Sequence, residues 1–496
     1  MSVFALLLGV VAFIAVLRVL EAQKVATGVL NTTQHALSVM MNSDVTDEEK
    51  EMQVRRASLK LLGGFFGIAA IGTAAIGASV LVVWGGAVFD FYAVDQAISV
   101  ALGWPFILGS TAAAVALWIG LDRLNKVPQD DARREEVPYS PMDKALHDFA
   151  FASSDRQIRL GRLENRLYRR SIAAERAERP VFITSLPRAG TTIMLEGLSA
   201  LPDFASATYR HMPFTLSPLL WGGFSKSFRK AGDFAERAHG DGISVGIDSP
   251  EAFEEMLWMA FWPEHYASDH ITLWDGRAND EGFENFFRQH MAKIVATKPQ
   301  AVRYISKNNA NIARLDLIQR IFPDAATVLP VRNPRAQVKS LLRQHERFTD
   351  LHRREPFARR YMEGIGHFEF GGALRPIRFD GAPGKMAGAK HADFWLRYWI
   401  AAYEHVLKTA GPNAIFVDHD ALCEDPQRIL PDLGHALQLQ DGTDMASFAS
   451  MLRAPRPVPH LEGASADLLH KADELHIRLC DRAIGTSHPP FKEISI

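Results

Sequence analysis

One stretch constrains this chain more than any other: Val181-Phe-Ile-Thr-Ser-Leu-Pro-Arg-Ala-Gly-Thr-Thr-Ile193. The apolar run Val181–Ile183 predicts a buried strand, and the residues from Thr191 predict a helix. Between them lies a tight loop ending in Gly190-Thr191-Thr192. Strand, tight loop and helix N-terminus together make an anion cradle, because backbone N–H groups and the positive end of the helix dipole point at the same spot. The pattern is close to a nucleotide triphosphate loop, but Ser185 stands where its first Gly belongs. Thr191 replaces the Lys that would reach β- and γ-phosphates. The cation sits earlier, at Arg188. The loop therefore reads as a cradle for an anionic nucleotide that is not built for triphosphate hydrolysis.

From Val181 onward strand-like and helix-like segments alternate. Val181–Ser185 precedes the helix from Thr191, Arg303–Ser306 precedes Ala310–Ile321, Thr327–Val331 precedes Pro334–Arg347, and Ala414–Val417 precedes Pro426–Leu437. This order predicts an α/β fold, a parallel sheet flanked by helices. In such sheets ligands sit beyond the carboxyl ends of the strands, where the loop and Arg332 both fall. In Val331-Arg332-Asn333-Pro334, Asn333 suits a helix cap and Pro334 the first helical position. Alone these residues need be no more than a helix start. Beside the loop, the Arg332 guanidinium and the Ser340 hydroxyl two turns on read as a second phosphate clamp.

Together the two elements resemble the P-loop sulfotransferases that use 3′-phosphoadenosine 5′-phosphosulfate (PAPS). The 5′-phosphosulfate loop of that family, Pro-[Lys/Arg]-[Ser/Ala/Thr]-Gly-Thr-[Thr/Ser], is matched by Pro187-Arg188-Ala189-Gly190-Thr191-Thr192. Its 3′-phosphate element, an Arg in Arg-[Asp/Asn]-Pro followed by a Ser, is matched by Arg332-Asn333-Pro334 and Ser340. The segment Asp418 to Pro426 is similar to the acidic strand-to-helix tail of the fold. The resemblance runs from about Arg179 to the C-terminus. It implies that Arg188, Ala189, Gly190, Thr191 and Thr192 hold the phosphosulfate and that Arg332 and Ser340 recognise the 3′-phosphate. It implies PAPS as co-substrate, no metal, and a hydroxyl or amine acceptor on a lipid, a glycan or a small molecule. A P-loop kinase, and a nucleotide-binding protein of the same fold without turnover, are the competing readings.

The resemblance also implies catalytic residues. Lys307 ends a strand where many members place a Lys near the bridging oxygen. Glu255 maps to the base of the heparan-type branch, although its segment, Ser249 to Trp258, lies much further from the loop than in that branch. In tyrosylprotein-type members the base position corresponds to Tyr209, with His211 close by and able to titrate near neutrality. Glu255 is thus the first candidate for the base and His211 the second.

Outside this region the apolar residues are unevenly spread. Charge-free or nearly charge-free runs predict three membrane spans, at about 2–20, 61–84 and 97–121; a bilayer core of ~30 Å needs ~20 apolar residues. Gly63, Gly67, Ala69, Thr73 and Gly77 form a small-residue stripe in the second, a helix-packing face or merely ordinary membrane-helix composition. Lys and Arg cluster before the second span and after the third, so the positive-inside rule puts the N-terminus outside and the catalytic part in the cytoplasm. The expected organisation is a membrane region over 1–122, a linker and an Arg-rich amphipathic helix over 123–178, and the sulfotransferase-like part over 179–496. The expected location is the inner or plasma membrane, with the lipid bilayer as partner. A net charge of −2 implies no global attraction to nucleic acid. Two cysteines, Cys423 and Cys480, make no disulfide framework.

Overall fold

The computed structural model describes residues 2–22, 47–88, 147–174, 177–225 and 249–485 (less 385 and 441), with short pieces within 25–32 and 99–110 and at 235–236 and 244–245. The chain divides into two compact units, Met1–Glu135 and Glu136–Ile496.

In the first unit, α1 (Ser2–Val19) lies against α2 (Asp47–Val88). Within α2, Lys60–Gly85 is long and apolar enough to cross a membrane, with a mean hydropathy of 2.2. Its large side chains, Phe65, Phe66, Leu81 and Trp84 among them, are exposed rather than packed. The expectation of three spans is reduced: among the described residues this is the one helix of spanning length. The apolar part of α1, Ala5–Val19, is too short for that test. The third expected span and the linker after it lie mostly outside the described residues. Within the small-residue stripe, a Cβ at Gly63 or Gly77 would meet nothing among the described residues, one at Gly67 would stand 3.4 Å from Val25, and at Gly9 of α1 a Cβ would stand 2.9 Å from Ser79 Oγ.

The second unit begins, in its described part, with α3 (Ser154–Leu167) and α4 (Arg169–Ala174). Ser153 caps α3, accepting from Arg156 N–H at 3.2 Å, so a helix starts afresh within the stretch where the sequence predicted an Arg-rich amphipathic helix. Leu160, Leu163 and Leu167 stand at helical spacing, yet Leu163 and Leu167 are exposed and Gln157, Ile158, Gly161 and Glu164 are buried. An ion pair explains the offset. Glu164 Oε2 meets Lys293 Nζ at 2.9 Å with both side chains fully buried. At Gly161 any Cβ would come within 2.8 Å of the Leu216 carbonyl.

The core is a five-stranded parallel sheet. In chain order the elements are β1 (Val181–Ile183), α5 (Thr191–Ser199), β2 (Phe204–Ala205), α6 (Pro218–Ser225), the two-residue strands β3 (Ala235–Glu236) and β4 (Ser244–Val245), α7 (Glu255–Phe261), α8 (Glu281–Val295), β5 (Arg303–Lys307), α9 (Leu315–Ile321), β6 (Ala326–Val331), α10 (Pro334–Arg354), α11 (Pro356–Gly364), α12 (Ala392–Thr409), β7 (Ala414–Asp418), α13 (His419–Glu424), α14 (Pro426–Ala436), α15 (Ala446–Met451) and α16 (Ala466–Cys480). β3 and β4 pair only with each other, antiparallel. The sheet order is β2-β5-β1-β6-β7, and every ladder in it is parallel.

Burial on both faces is why β1 is a continuous apolar run. Phe182 points to one face, among Tyr304, Phe287 and Phe322. Val181 and Ile183 point to the other, with Ile305, Val328, and Met194, Leu195 and Leu198 of α5. The central strand thus delivers its carboxyl end, and the loop that follows, to the middle of one sheet edge.

Candidate active site

The carboxyl ends of three neighbouring strands build the site. β1 runs into the loop, β6 into Arg332, and β7 into Asp418–Asp420. Gly190 starts α5 with φ 96°, in the left-handed region where glycine costs least, and no side chain caps the helix. A Cβ there would lie 2.4 Å from His419 Nδ1, so His419 seals the back of the turn. Arg188 is also left-handed, at φ 69°. For a side-chain-bearing residue that costs roughly 1–2 kcal/mol, and it turns the guanidinium toward α10, where Nε donates to Ser340 Oγ at 3.1 Å.

The second motif closes on the first. Asn333 caps α10, its side chain accepting from Arg335 N–H at 3.0 Å, with Pro334 at the first helical position. Arg332 donates through one terminal nitrogen to the Arg188 carbonyl at 3.0 Å. Its Nε is buried and has no hydrogen-bond partner among the described residues. Asp420 Oδ2 accepts from Asn333 N–H at 3.0 Å, tying the β7 end to the same turn. Burial, with Arg332 next, lowers the His419 pKa to about 4, so this imidazole is neutral at pH 7.

A buried network fixes the floor of the loop. Ser185 Oγ donates to the Pro330 carbonyl at 2.8 Å and lies 2.6 Å from the Tyr403 hydroxyl. Gln337 Nε2 donates to the carbonyls of Leu186 (3.2 Å) and Pro187 (2.9 Å), while its oxygen accepts from Trp399 Nε1 at 2.9 Å. Ala189 is fully buried, Thr191 opens α5, and Thr192 follows it. Every residue expected to hold the donor therefore lies in one connected constellation.

Next to the loop strand, Lys307 ends β5 and stands 3.8 Å from Glu251, both nearly buried. Glu251 also accepts from the Tyr209 hydroxyl (2.7 Å) and from Ala252 N–H (2.8 Å). The geometry speaks against the base role expected of Glu255. That carboxylate is ion-paired with the fully buried Arg314 and also bonded by Tyr266 and by Asn308 Nδ2 (2.7 Å). Burial works against the Arg314 charge, but Glu255 overcomes it and holds the guanidinium pKa above its ordinary value. The rings of Trp258 and Trp274, roughly perpendicular to each other, lie 4.0 and 4.6 Å from the same guanidinium. The Glu255 oxygens are thus taken up by buried structural partners. Glu254 accepts from Trp258, Tyr304, Ser306, Asn308 and Asn311.

His211 is buried too, and its Nδ1 accepts from Thr208 N–H at 3.0 Å as part of a capping box. Among the described residues no group of three or more His, Cys, Asp or Glu is gathered to hold a metal ion.

The structure adds residues that motif reading missed. Asn309 Oδ1 accepts from Thr191 Oγ1 at 3.2 Å, and Asn309 Nδ2 donates to Glu369 at 3.1 Å. A pocket opens beside them, lined by Leu186 and Pro187 of the loop and by Phe368, Trp395 and Tyr398. The available signal was local for Asn309, which follows β5 in Lys307-Asn308-Asn309, and faint for Glu369, a lone charge between Phe368 and Phe370.

A profile of the sulfotransferase family matches residues 180–442, more than half of the chain and all three strand-end motifs. The protein belongs to the sulfotransferase family. No curated protein sequence matches it. Among solved structures, sulfotransferase STF1 from Mycobacterium tuberculosis H37Rv is similar at 14% identity, with 63% of this chain and 80% of that one covered and a TM-score of 0.36. Sulfotransferase STF9 from Mycobacterium avium is similar at 12% identity, with 73% and 94% covered and a TM-score of 0.39. Both are distant likenesses.

Proposed function

We propose that this sulfotransferase takes its sulfuryl group from PAPS and passes it to a hydroxyl or amine, at the cytoplasmic face of a membrane. The observation that carries the donor assignment is Arg332. Its guanidinium is anchored to the loop by one nitrogen, and its buried Nε has no hydrogen-bond partner among the described residues. A buried cationic donor left open beside an uncapped helix N-terminus fits a second phosphate next to the first. Arg188, the N–H groups around Gly190 and the hydroxyls of Thr191 and Thr192 would hold the 5′-phosphosulfate; Arg332 and Ser340 would hold the 3′-phosphate. Bound PAPS supplies an activated sulfuryl group.

The chain's own work is then positioning and charge stabilisation, as in phosphoryl transfer. Lys307, steadied by Glu251, neutralises charge developing on the leaving phosphate. The absent loop Lys and the Arg332–Ser340 pair favour this reading over a kinase.

The membrane assignment rests on Lys60–Gly85, with the Lys/Arg distribution as the argument for orientation. The lipid bilayer is then the partner, and lipids, glycans and small molecules near it are the acceptor pool. Incubating the full-length protein and an Arg188→Ala variant with sulfur-35-labelled PAPS and a membrane extract tests the activity. Labelled organic sulfate from the wild type and at least about 100-fold less from the variant is expected. Tight nucleotide binding without transfer to any component would favour a nucleotide-binding protein without turnover.

A further inference from the structure

Four acceptor-side groups are already committed. Glu255 neutralises Arg314, Glu254 takes five donors, Glu251 serves Lys307 and Tyr209, and His211 caps its own turn. Glu369 is placed differently. It is half-buried, and its one hydrogen bond among the described residues comes from Asn309 Nδ2. Asn309 in turn holds Thr191, the first residue of α5. A two-residue bridge therefore sets this carboxylate beside the donor loop. It sits on the wall of the pocket beside the loop, whose surface is mainly apolar and shared with Leu186 and Pro187.

Tyr398, on the same wall, does not compete for a proton. Burial, with a smaller contribution from the Glu369 charge, raises its pKa against the opposing effect of the Ile377 N–H, from which its hydroxyl accepts at 3.0 Å.

Resting on the sulfuryl-transfer reading, we propose that this cavity is the acceptor site, that it takes a hydroxyl carried on an apolar ring, and that Glu369 accepts the hydroxyl proton. The acceptor oxygen forms the new bond to sulfur. The bond from sulfur to the 5′-phosphate oxygen breaks, and its electron pair leaves on adenosine 3′,5′-bisphosphate. The proton ends on the Glu369 carboxylate, so the step needs no further reactant. Asn309 orients that carboxylate while reporting, through Thr191, on the loop.

The test uses the full-length protein in lipid nanodiscs, with adenosine 3′,5′-bisphosphate and 4-ethylphenol as probes. Calorimetry follows both, and mass spectrometry follows 4-ethylphenyl sulfate formed from PAPS. Glu369→Gln is expected to keep both affinities within about threefold and to lower kcat by about 10²–10⁴-fold, the usual range for removing a general base. Leu374→Trp or Ile377→Trp, filling the cavity, is expected to weaken 4-ethylphenol at least about tenfold while bisphosphate affinity, the control for folding, is unchanged. Unaltered kcat in Glu369→Gln overturns the base assignment. Unaltered phenol affinity in the filled variants, or a wild type that binds bisphosphate and not the phenol, overturns the cavity assignment alone. A wild type that fails to bind bisphosphate overturns the donor reading and the transfer step with it.

Discussion

At the scale of single residues, the donor side was legible because its parts are contiguous. Pro187 to Thr192 and Arg332 to Pro334 each combine a turn requirement with a charge, and both requirements are local. The acceptor side was not, because a Glu looks the same in sequence whether it faces a substrate or a buried arginine. Only the fold brings Arg314 onto Glu255. Glu255→Gln should accordingly act on stability, leaving Arg314 buried without its counter-charge at a cost of roughly 3–5 kcal/mol. A fall in the thermal midpoint, read by scanning calorimetry, checks this; unchanged stability with lost turnover would return the base role to Glu255. Gly190→Ala pairs a left-handed backbone with a contact on His419. It should abolish nucleotide binding measured by calorimetry.

At the scale of elements, the alternation of strands and helices predicted the sheet because parallel strands buried on both faces must be apolar throughout, as β1 is. Helix phase was less legible. In α3 the buried Glu164–Lys293 pair pulls a polar face inward and leaves Leu163 and Leu167 outside, the reverse of what apolar periodicity suggests. The long reach of α12 to the loop was likewise invisible. Trp399 and Tyr403 support Gln337, which holds two loop carbonyls from behind. Gln337→Ala strands those buried groups, and each unsatisfied one costs about 1–3 kcal/mol. A lower denaturation midpoint together with weaker nucleotide binding is expected; a loss of neither would mean the loop stands without this support.

At the scale of the whole molecule, burial, ahead of neighbouring arginines, lowers His352 and His419 to about 4, and burial also holds His290 well below its ordinary value. The unfolded chain takes up these protons near pH 6.5 and the folded chain does not, so their contribution to stability is present above about 6.5 and is lost as pH falls toward 4. Scanning calorimetry from pH 7 to 4.5 should show a falling midpoint with net proton uptake on unfolding.

The apolar runs of the first unit were readable as such, but run length alone overstated how many helices reach spanning length among the described residues.

The central claim is that the loop and the Arg332 turn form one clamp for two phosphates. Calorimetry of the full-length protein with adenosine 3′,5′-bisphosphate and adenosine 5′-monophosphate, repeated with Arg332→Ala, tests it most directly. The expected result is about 10–100-fold preference for the bisphosphate in the wild type, in line with a charged hydrogen bond of about 1.5–3 kcal/mol, shrinking to about threefold or less in the variant. Equal affinity of the wild-type protein for the two nucleotides would contradict it.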